Sequence, residues 1–376
     1  MFTREDTRAV KGFAVLMMMF HHLAAFPERQ PPEFEGFLTL WKPFAEEGYI
    51  RMMATAFRLC VAIFYFVGGY GLYKRWSKNK YSLTKSIFAL YKSYWKVFAV
   101  FVPIAFIFFR RSGEGLLPNY QRYAVTDKKE LISMILANFL GLTDSINSEW
   151  WFLAAYLCVM PMGLLFCIAT RKNKSFTLSM FLVLMIDILV RNVFDDIPKI
   201  EAFSNVGSNF FYSHFLNMEG TSPFFAGIVF AKHDKLEVCK KYLMRFRFSG
   251  IMGLIGCLGI LYIRSYILGE YIEIIHAAAF TIFASVLADS LRPLKTAVCF
   301  AGKYSTEMWL IHSFFCFHFC EAAKLVYLTR SPLIDFLILT ALTLGSALLL
   351  EQLYKALAKL QPQMKKILFR PVPEES

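Results

Sequence analysis

A lysine and two histidines bracket the first apolar run of the chain, Lys11-Gly-Phe-Ala-Val-Leu-Met-Met-Met-Phe-His21-His22. On an α-helix the eleven steps from Lys11 to His22 make three full turns plus ~20°, so both side chains share a face. They stand ~16 Å apart along the axis, about half the thickness of a bilayer's hydrocarbon core. His21 falls ~80° off that face. Ionisable groups inside a membrane segment are costly to keep and mark functional sites. A neutral imidazole held by a partner suits proton abstraction near pH 7.

Three more stretches carry groups fit for chemistry. The first reads Arg58-Leu-Cys-Val-Ala62-Ile-Phe64-Tyr-Phe66-Val-Gly68-Gly69-Tyr70-Gly71. Gly68 and Gly69 allow close backbone approach by another helix or by a ligand. The Arg58 guanidinium suits snorkelling to an interface, or gripping an acceptor's hydroxyls or an oxyanion. The second stretch is Asn147-Ser-Glu149-Trp150-Trp151-Phe152-Leu153. Its Trp150 and Trp151 suit an interfacial belt or a platform for a sugar or acyl group. The Glu149 carboxylate there could orient a hydroxyl, or pair with Arg58 or a histidine. The third contains Gly302, Ser305, Glu307, Trp309 and His312; Ser305 and His312, seven apart, lie within ~20° of one helix face. No metal centre is expected, because His312, Cys316 and Cys320 rise too steeply along one helix to surround an ion. Weaker candidates are the pair Asp187 and Arg191, and an outward-facing polar group of Glu273, His276, His214 and Glu219.

The elements that must hold these residues are membrane helices. Hydrophobic residues make up 57% of the 376-residue chain and charged residues 18%, and mean hydropathy is +0.46; soluble domains carry about 25% charged residues. Two histidines interrupt the first run and no small-x-small cleavage site follows cleanly before Pro27, so it reads as a transmembrane helix and not as a secretory signal. Ten segments are long and apolar enough to be spans: about 9–26, 52–73, 87–109, 150–169, 176–192, 209–231, 247–264, 271–289, 304–321 and 332–353. Residues 131–142 are too short to cross and are expected to be interfacial or re-entrant. With both termini in the cytoplasm, about two thirds of all Lys and Arg fall on the inner side, as the positive-inside rule requires; Arg110, Arg111, Lys128 and Lys129 are the exceptions. The net charge of +13 suits membrane lipid headgroups and an anionic cofactor, without nucleic acid. The cysteines form no C-x-x-C and read as small packing residues. The expected architecture is all-α, a polytopic bundle of about ten helices in one domain over 1–355, with a basic cytoplasmic tail over 356–376.

In this order the stretches resemble the acyltransferase-three family of integral-membrane acyltransferases, over about residues 1–355. The family's opening Arg, ten residues and His are matched by Lys11 and His22, with Lys in place of Arg. Its Phe-Phe-x-x-Ser-Gly is similar to Phe64-Tyr65-Phe66-Val67-Gly68-Gly69, its Trp-Phe-Leu to Trp151-Phe152-Leu153, and its late Gly-x-x-Ser-x-x-x-x-Leu-x-His to Gly302, Ser305, Leu310 and His312. The chain departs from the pattern at Ala62, where many members are acidic, at Gly68 and at Ala89; Lys92 resembles the second cation of the family's basic cytoplasmic motif.

The resemblance implies transfer of an acyl group, commonly acetyl from acetyl-CoA, to a hydroxyl of a cell-envelope or surface glycan at the plasma membrane. It also implies that any soluble acceptor-side domain is a separate envelope protein. Cytoplasmic acetyl-CoA would then set its phosphates near Lys11, Lys74, Arg75 and Lys92, with the thioester climbing to His22. Gly68 and Gly69 amides or Arg58 would face the developing oxyanion. His312 and Ser305 would serve as a relay or orient the acceptor, and Arg58, Glu149, Trp150 and Trp151 would form the acceptor side. A proton-coupled transporter or flippase is the alternative that intramembrane His, Arg and Glu also fit, and a non-catalytic envelope module is a third.

Overall fold

The computed structural model describes residues 2–26, 29, 48–108, 127–190, 221–266 and 272–368. These residues are helical, with no strand among them. The order is α1 (Arg4–Ala24), α2 (Tyr49–Ala56), α3 (Leu59–Trp76), α4 (Leu83–Phe108), α5 (Lys128–Phe139), α6 (Trp151–Ala169), α7 (Phe176–Leu189) and α8 (Thr221–Lys232). There follow α9 (Lys235–Leu243), α10 (Ser249–Tyr266), α11 (Glu273–Ser290), α12 (Arg292–Lys303), α13 (Ser305–Ser313), α14 (Cys320–Tyr327) and α15 (Pro332–Leu368). Five helical stretches are long and apolar enough to cross a membrane: Tyr49–Trp76, Leu83–Ile107, Ser148–Ala169, Glu273–Ser290 and Pro332–Leu360. Shorter apolar helices occupy Phe176–Leu189, Ser222–Lys232 and Ser249–Ser265. The chain is therefore a helical membrane protein. Arg110, Arg111, Arg191, His214 and Glu219 lie outside the described residues.

Two of the expected spans are interrupted. The 52–73 span breaks at Phe57–Arg58, between α2 and α3. No proline or glycine causes the break. Buried donors instead serve the carbonyls that end α2: Arg264 Nη1 donates to Thr55 (3.2 Å) and Ala56 (3.0 Å), and His21 Nδ1 lies 2.7 Å from that of Ala54. The 304–321 span is α13, then a π-helical turn over Phe314–His318, then α14 beginning beyond Phe319. Wide turns of this kind occur frequently at functional sites.

Glycines fix how the helices cross. A Cβ on Gly69 would stand 1.9 Å from the Phe224 carbonyl oxygen, and one on Gly227 would stand 2.0 Å from that of Phe66, so α3 and α8 touch backbone to backbone. Gly12 and Gly302 do the same for α1 and α12, meeting Val298 and Arg8 carbonyls at 1.9 Å. Gly302 thus seats α12 against α1 and delivers Ser305, at the start of α13, to the same neighbourhood.

A capping box starts α1: Asp6 N–H donates to Thr3 Oγ1 (3.2 Å) and Thr3 N–H to Asp6 Oδ2 (2.7 Å). Asp6 also pairs with Lys240 at 2.7 Å; Lys240 reaches Asp289 at 2.5 Å, and Lys295 joins Asp289 at 2.9 Å and Glu5 at 3.3 Å. Lys74 pairs with Asp234. These contacts gather the start of α1, the end of α3, α9, the end of α11 and the start of α12 at one end of the bundle. The basic segments that sequence assigns to one side of the membrane do meet there.

The end of α5 meets α4. Tyr91 Oη donates to Leu140 O (2.9 Å), Tyr94 Oη to Asn138 O (2.6 Å) and Trp95 Nε1 to Phe139 O (2.9 Å). Its end therefore lies beside the first half of α4, with Ile132, Leu136 and Phe139 exposed.

Candidate active site

A cavity of about 990 Å³ opens between α1, the α2–α3 break, the first half of α4, the start of α6 and α13. Lys11, Ala89, Ser93, Ser305 and Thr306 line it on the side of the basic end. Arg29, Arg51, Thr55 and Asp144 line it toward the far end, with His21, His22, Arg58, Glu149 and Trp151 also in its wall. Lys11 and His22 do share one cavity, as their spacing on α1 predicts. His21 lines it too, because its ring reaches the α2 terminus, where it bonds to the Ala54 carbonyl.

His22 is clamped from both sides. Its Nε2 lies 2.7 Å from Glu149 Oε2, and Arg29 Nη1 donates to Glu149 Oε1 at 2.7 Å. Its Nδ1 lies 3.0 Å from His312 Nε2 and 3.1 Å from the Met18 carbonyl. His312 Nδ1 in turn lies 2.7 Å from the Trp309 carbonyl.

Donor and acceptor matching locates the protons of this chain. A carbonyl only accepts, so His312 Nδ1 carries a proton and the Nε2 of neutral His312 is bare. His22 Nδ1 faces that bare nitrogen and a second carbonyl, so it donates. The 2.7 Å contact of His22 with Glu149 then requires one further proton, shared between imidazole and carboxylate. The unit runs Arg29, Glu149, His22, His312, Trp309 carbonyl, from the cavity into the fully buried interior around His312.

Side chains on α13 and the 147–150 turn hold this unit rigid. Asn147 Nδ2 donates to Ser313 Oγ at 2.7 Å, while the Glu149 N–H donates to Asn147 Oδ1 at 3.1 Å. Trp309 Nε1 donates to the Glu149 carbonyl at 3.1 Å and Trp150 Nε1 to that of Leu310 at 3.0 Å. The Arg29 guanidinium lies 4.3 Å from the Phe26 ring centre and 5.2 Å from that of Phe317, which fixes its plane.

Several expected site residues serve elsewhere. Trp150 is buried against Tyr94, Phe98 and Phe314 and is a core residue, not an acceptor platform; its neighbour Trp151 does line the cavity. A Cβ on Gly68 would meet the hydroxyl of the cavity residue Tyr156 at 2.4 Å and one on Gly69 would meet α8, so both glycines stand in packing contacts and neither is part of the cavity wall. Lys74 is paired with Asp234 and the exposed Lys92 is not part of the cavity wall, while Arg75, 5.1 Å from the Tyr81 ring centre, lies close enough to the cavity residues Lys11 and Tyr156 to interact with them electrostatically. Of the four expected donor-side cations, Lys11 alone lines the cavity. Glu273 pairs with Arg264, which braces the end of α2, while His214 and Glu219, the other expected partners of Glu273 and His276, lie outside the described residues. Arg29, Arg51, Thr55 and Asn147 are site residues that sequence reasoning missed. Arg29 sits in the polar run after α1, where no spacing rule points at Glu149, 120 residues away.

No curated protein and no solved structure matches the chain. The profile of the acyltransferase-three family, described as an acyltransferase domain, matches residues 7–352, nearly the whole chain. That span takes in Lys11, His22, Glu149, Ser305 and His312, and the chain belongs to this family of acyltransferases.

Proposed function

We propose that the protein transfers an acyl group, acetyl in the simplest case, from acetyl-CoA to a hydroxyl of a cell-envelope or surface glycan at the plasma membrane. The observation that carries this reading is one cavity with a cation at its basic end and a clamped imidazole–carboxylate pair about half a bilayer away. Taken as cytoplasmic, the basic end receives the donor, whose phosphates meet Lys11 while the thioester reaches His22. The acceptor enters from the opposite end, near Arg51 and Asp144.

Once the proton shared at their 2.7 Å contact has left, the His22–Glu149 pair acts as one proton-accepting unit through the bare Nε2 of His22. The acceptor oxygen attacks the thioester carbonyl carbon as its proton passes to the pair. The new C–O ester bond forms, the C–S bond breaks, and the pair returns the proton to the departing thiolate sulfur. His312 and the Met18 carbonyl keep the His22 ring in one orientation, and Arg29 keeps Glu149 against it. Charge growing on the thioester oxygen falls in a cavity whose cations, Lys11, Arg29, Arg51 and Arg58, outnumber its carboxylates, Asp144 and Glu149. Ser305, in the cavity wall, orients the acceptor or donor by hydrogen bonding.

The test is thiol release and ester formation by the purified protein with acetyl-CoA and an envelope glycan fraction. Saturable transfer that falls at least ~10²-fold in His22→Ala supports the reading. Movement of a solute across vesicles without any acyl transfer would favour the transporter instead.

A further inference from the structure

One face of α9 seats it on the bundle. Leu236 is buried and Lys240 pairs with Asp6 and Asp289, and these two positions, four apart, share that face. Val238, Lys241 and Tyr242 lie on the opposite face and are exposed. The chain then runs exposed through Met244-Arg245-Phe246-Arg247-Phe248, where apolar and basic side chains alternate, before α10 begins at Ser249. Tyr242 and Phe248 are 57% and 63% exposed, and Tyr242 meets Phe246 edge to face at 5.5 Å. Among the described residues, no carboxylate pairs with Lys241, Arg245 or Arg247.

This run leads directly into an apolar helix. Phe248, Ile251, Ile255, Leu258 and Tyr262 recur at steps of three and four and are all exposed, so they form one stripe down α10. The Met252 N–H donates to the Phe248 carbonyl at 3.0 Å, which holds Phe248 in the helical repeat at the start of that stripe. The three cations stand just before it, at the end of the bundle that gathers Asp6, Lys240, Asp289 and Lys295. Aromatic rings beside the end of a membrane helix sit where acyl chains meet headgroups, and Lys or Arg next to them reach the phosphates.

We propose that the Lys241–Phe248 run binds anionic phospholipid in the leaflet at the basic end. Lys241, Arg245 and Arg247 hold the headgroup phosphates, while Tyr242, Phe246 and Phe248 enter the upper acyl region beside α10. A zwitterionic headgroup brings its own ammonium and gains little from three cations, whereas a net-negative one neutralises them. An acidic protein would satisfy the charge, but exposed rings continuous with the α10 stripe favour the bilayer. The site does not depend on the acyltransferase reading.

The experiment titrates the detergent-purified full chain with phosphatidylglycerol or phosphatidylcholine of the same acyl chains and counts bound lipid by native mass spectrometry. Wild type should prefer phosphatidylglycerol by ~10²-fold, about fivefold for each of the three cations, and the preference should shrink as salt rises. Lys241→Gln, Arg245→Gln and Arg247→Gln combined should erase the preference, and Phe246→Ser with Phe248→Ser should weaken both lipids alike. Thermal melting of each variant checks folding; where the triple variant melts early, Arg247→Gln alone decides, with an expected loss of about fivefold. Equal binding of the two lipids by wild type overturns the proposal and leaves the run to an acidic protein partner. A triple variant that melts like wild type and keeps the preference also overturns it, because the anionic lipid then binds elsewhere.

Discussion

His22 owes its chemistry to partners that the sequence scatters widely, with His312 290 residues away. Its candidacy was legible from Lys11 and the helical repeat, and the Glu149 pairing was one of the options open to that carboxylate. What spacing could not show is that both ring nitrogens are engaged, because that depends on the tautomer forced by the Trp309 carbonyl. The unit makes graded predictions. Glu149→Gln should lower turnover about as much as His22→Ala, at least ~10²-fold, because both remove the proton-accepting pair. Its Michaelis constant for acetyl-CoA should stay near wild type, since Lys11 lies elsewhere in the cavity. His312→Ala deletes one hydrogen bond to His22 and should cost about five- to tenfold in turnover. Steady-state kinetics on detergent-purified variants would check all three. Equal losses from His312→Ala and His22→Ala would mean that the buried histidine does more than orient its neighbour.

Among the elements, the α3–α8 crossing gives the cleanest test. The sequence marks the adjacent Gly68 and Gly69 as sites of close approach, and the packing sets Gly69 apart from nearby Gly71. An added methyl at Gly69 has no room against the Phe224 carbonyl, whereas nothing stands within 4 Å of a Cβ at Gly71. Gly69→Ala should therefore cost at least ~1–3 kcal/mol of stability, through forced separation of the helices. Gly71→Ala should be neutral or slightly stabilising, since alanine is the better helix former. Thermal melting of the two variants in one detergent separates them, and a Gly69→Ala protein as stable as wild type would refute the backbone contact. The breaks at Phe57–Arg58 and Phe314–His318 escaped the sequence reading for a related reason. Neither carries glycine or proline; the first is stabilised by Arg264, more than two hundred residues downstream. Long-range donors to helix carbonyls leave no local trace.

At the scale of the whole molecule, charge patterning was the most legible property. The ion pairs of Asp6, Lys240, Asp289 and Lys295, with that of Lys74 and Asp234, bring basic segments far apart in sequence to one end. The account predicts that this end is cytoplasmic. Single cysteines placed in the Lys74–Lys85 or Lys232–Arg247 segment should resist an impermeant reagent in intact cells and react once the cells are opened. Labelling of either segment from outside would reverse the assignment of donor and acceptor ends. Both ends of the cavity converge on His22, so the central claim is tested most directly by acetyl-CoA kinetics of purified wild type, Lys11→Ala and His22→Ala. Wild type should release thiol saturably in the presence of acceptor. Lys11→Ala should raise the Michaelis constant for acetyl-CoA with little change in turnover, and His22→Ala should lower turnover at least ~10²-fold with little change in that constant. A His22→Ala protein that turned over at the wild-type rate would contradict the account.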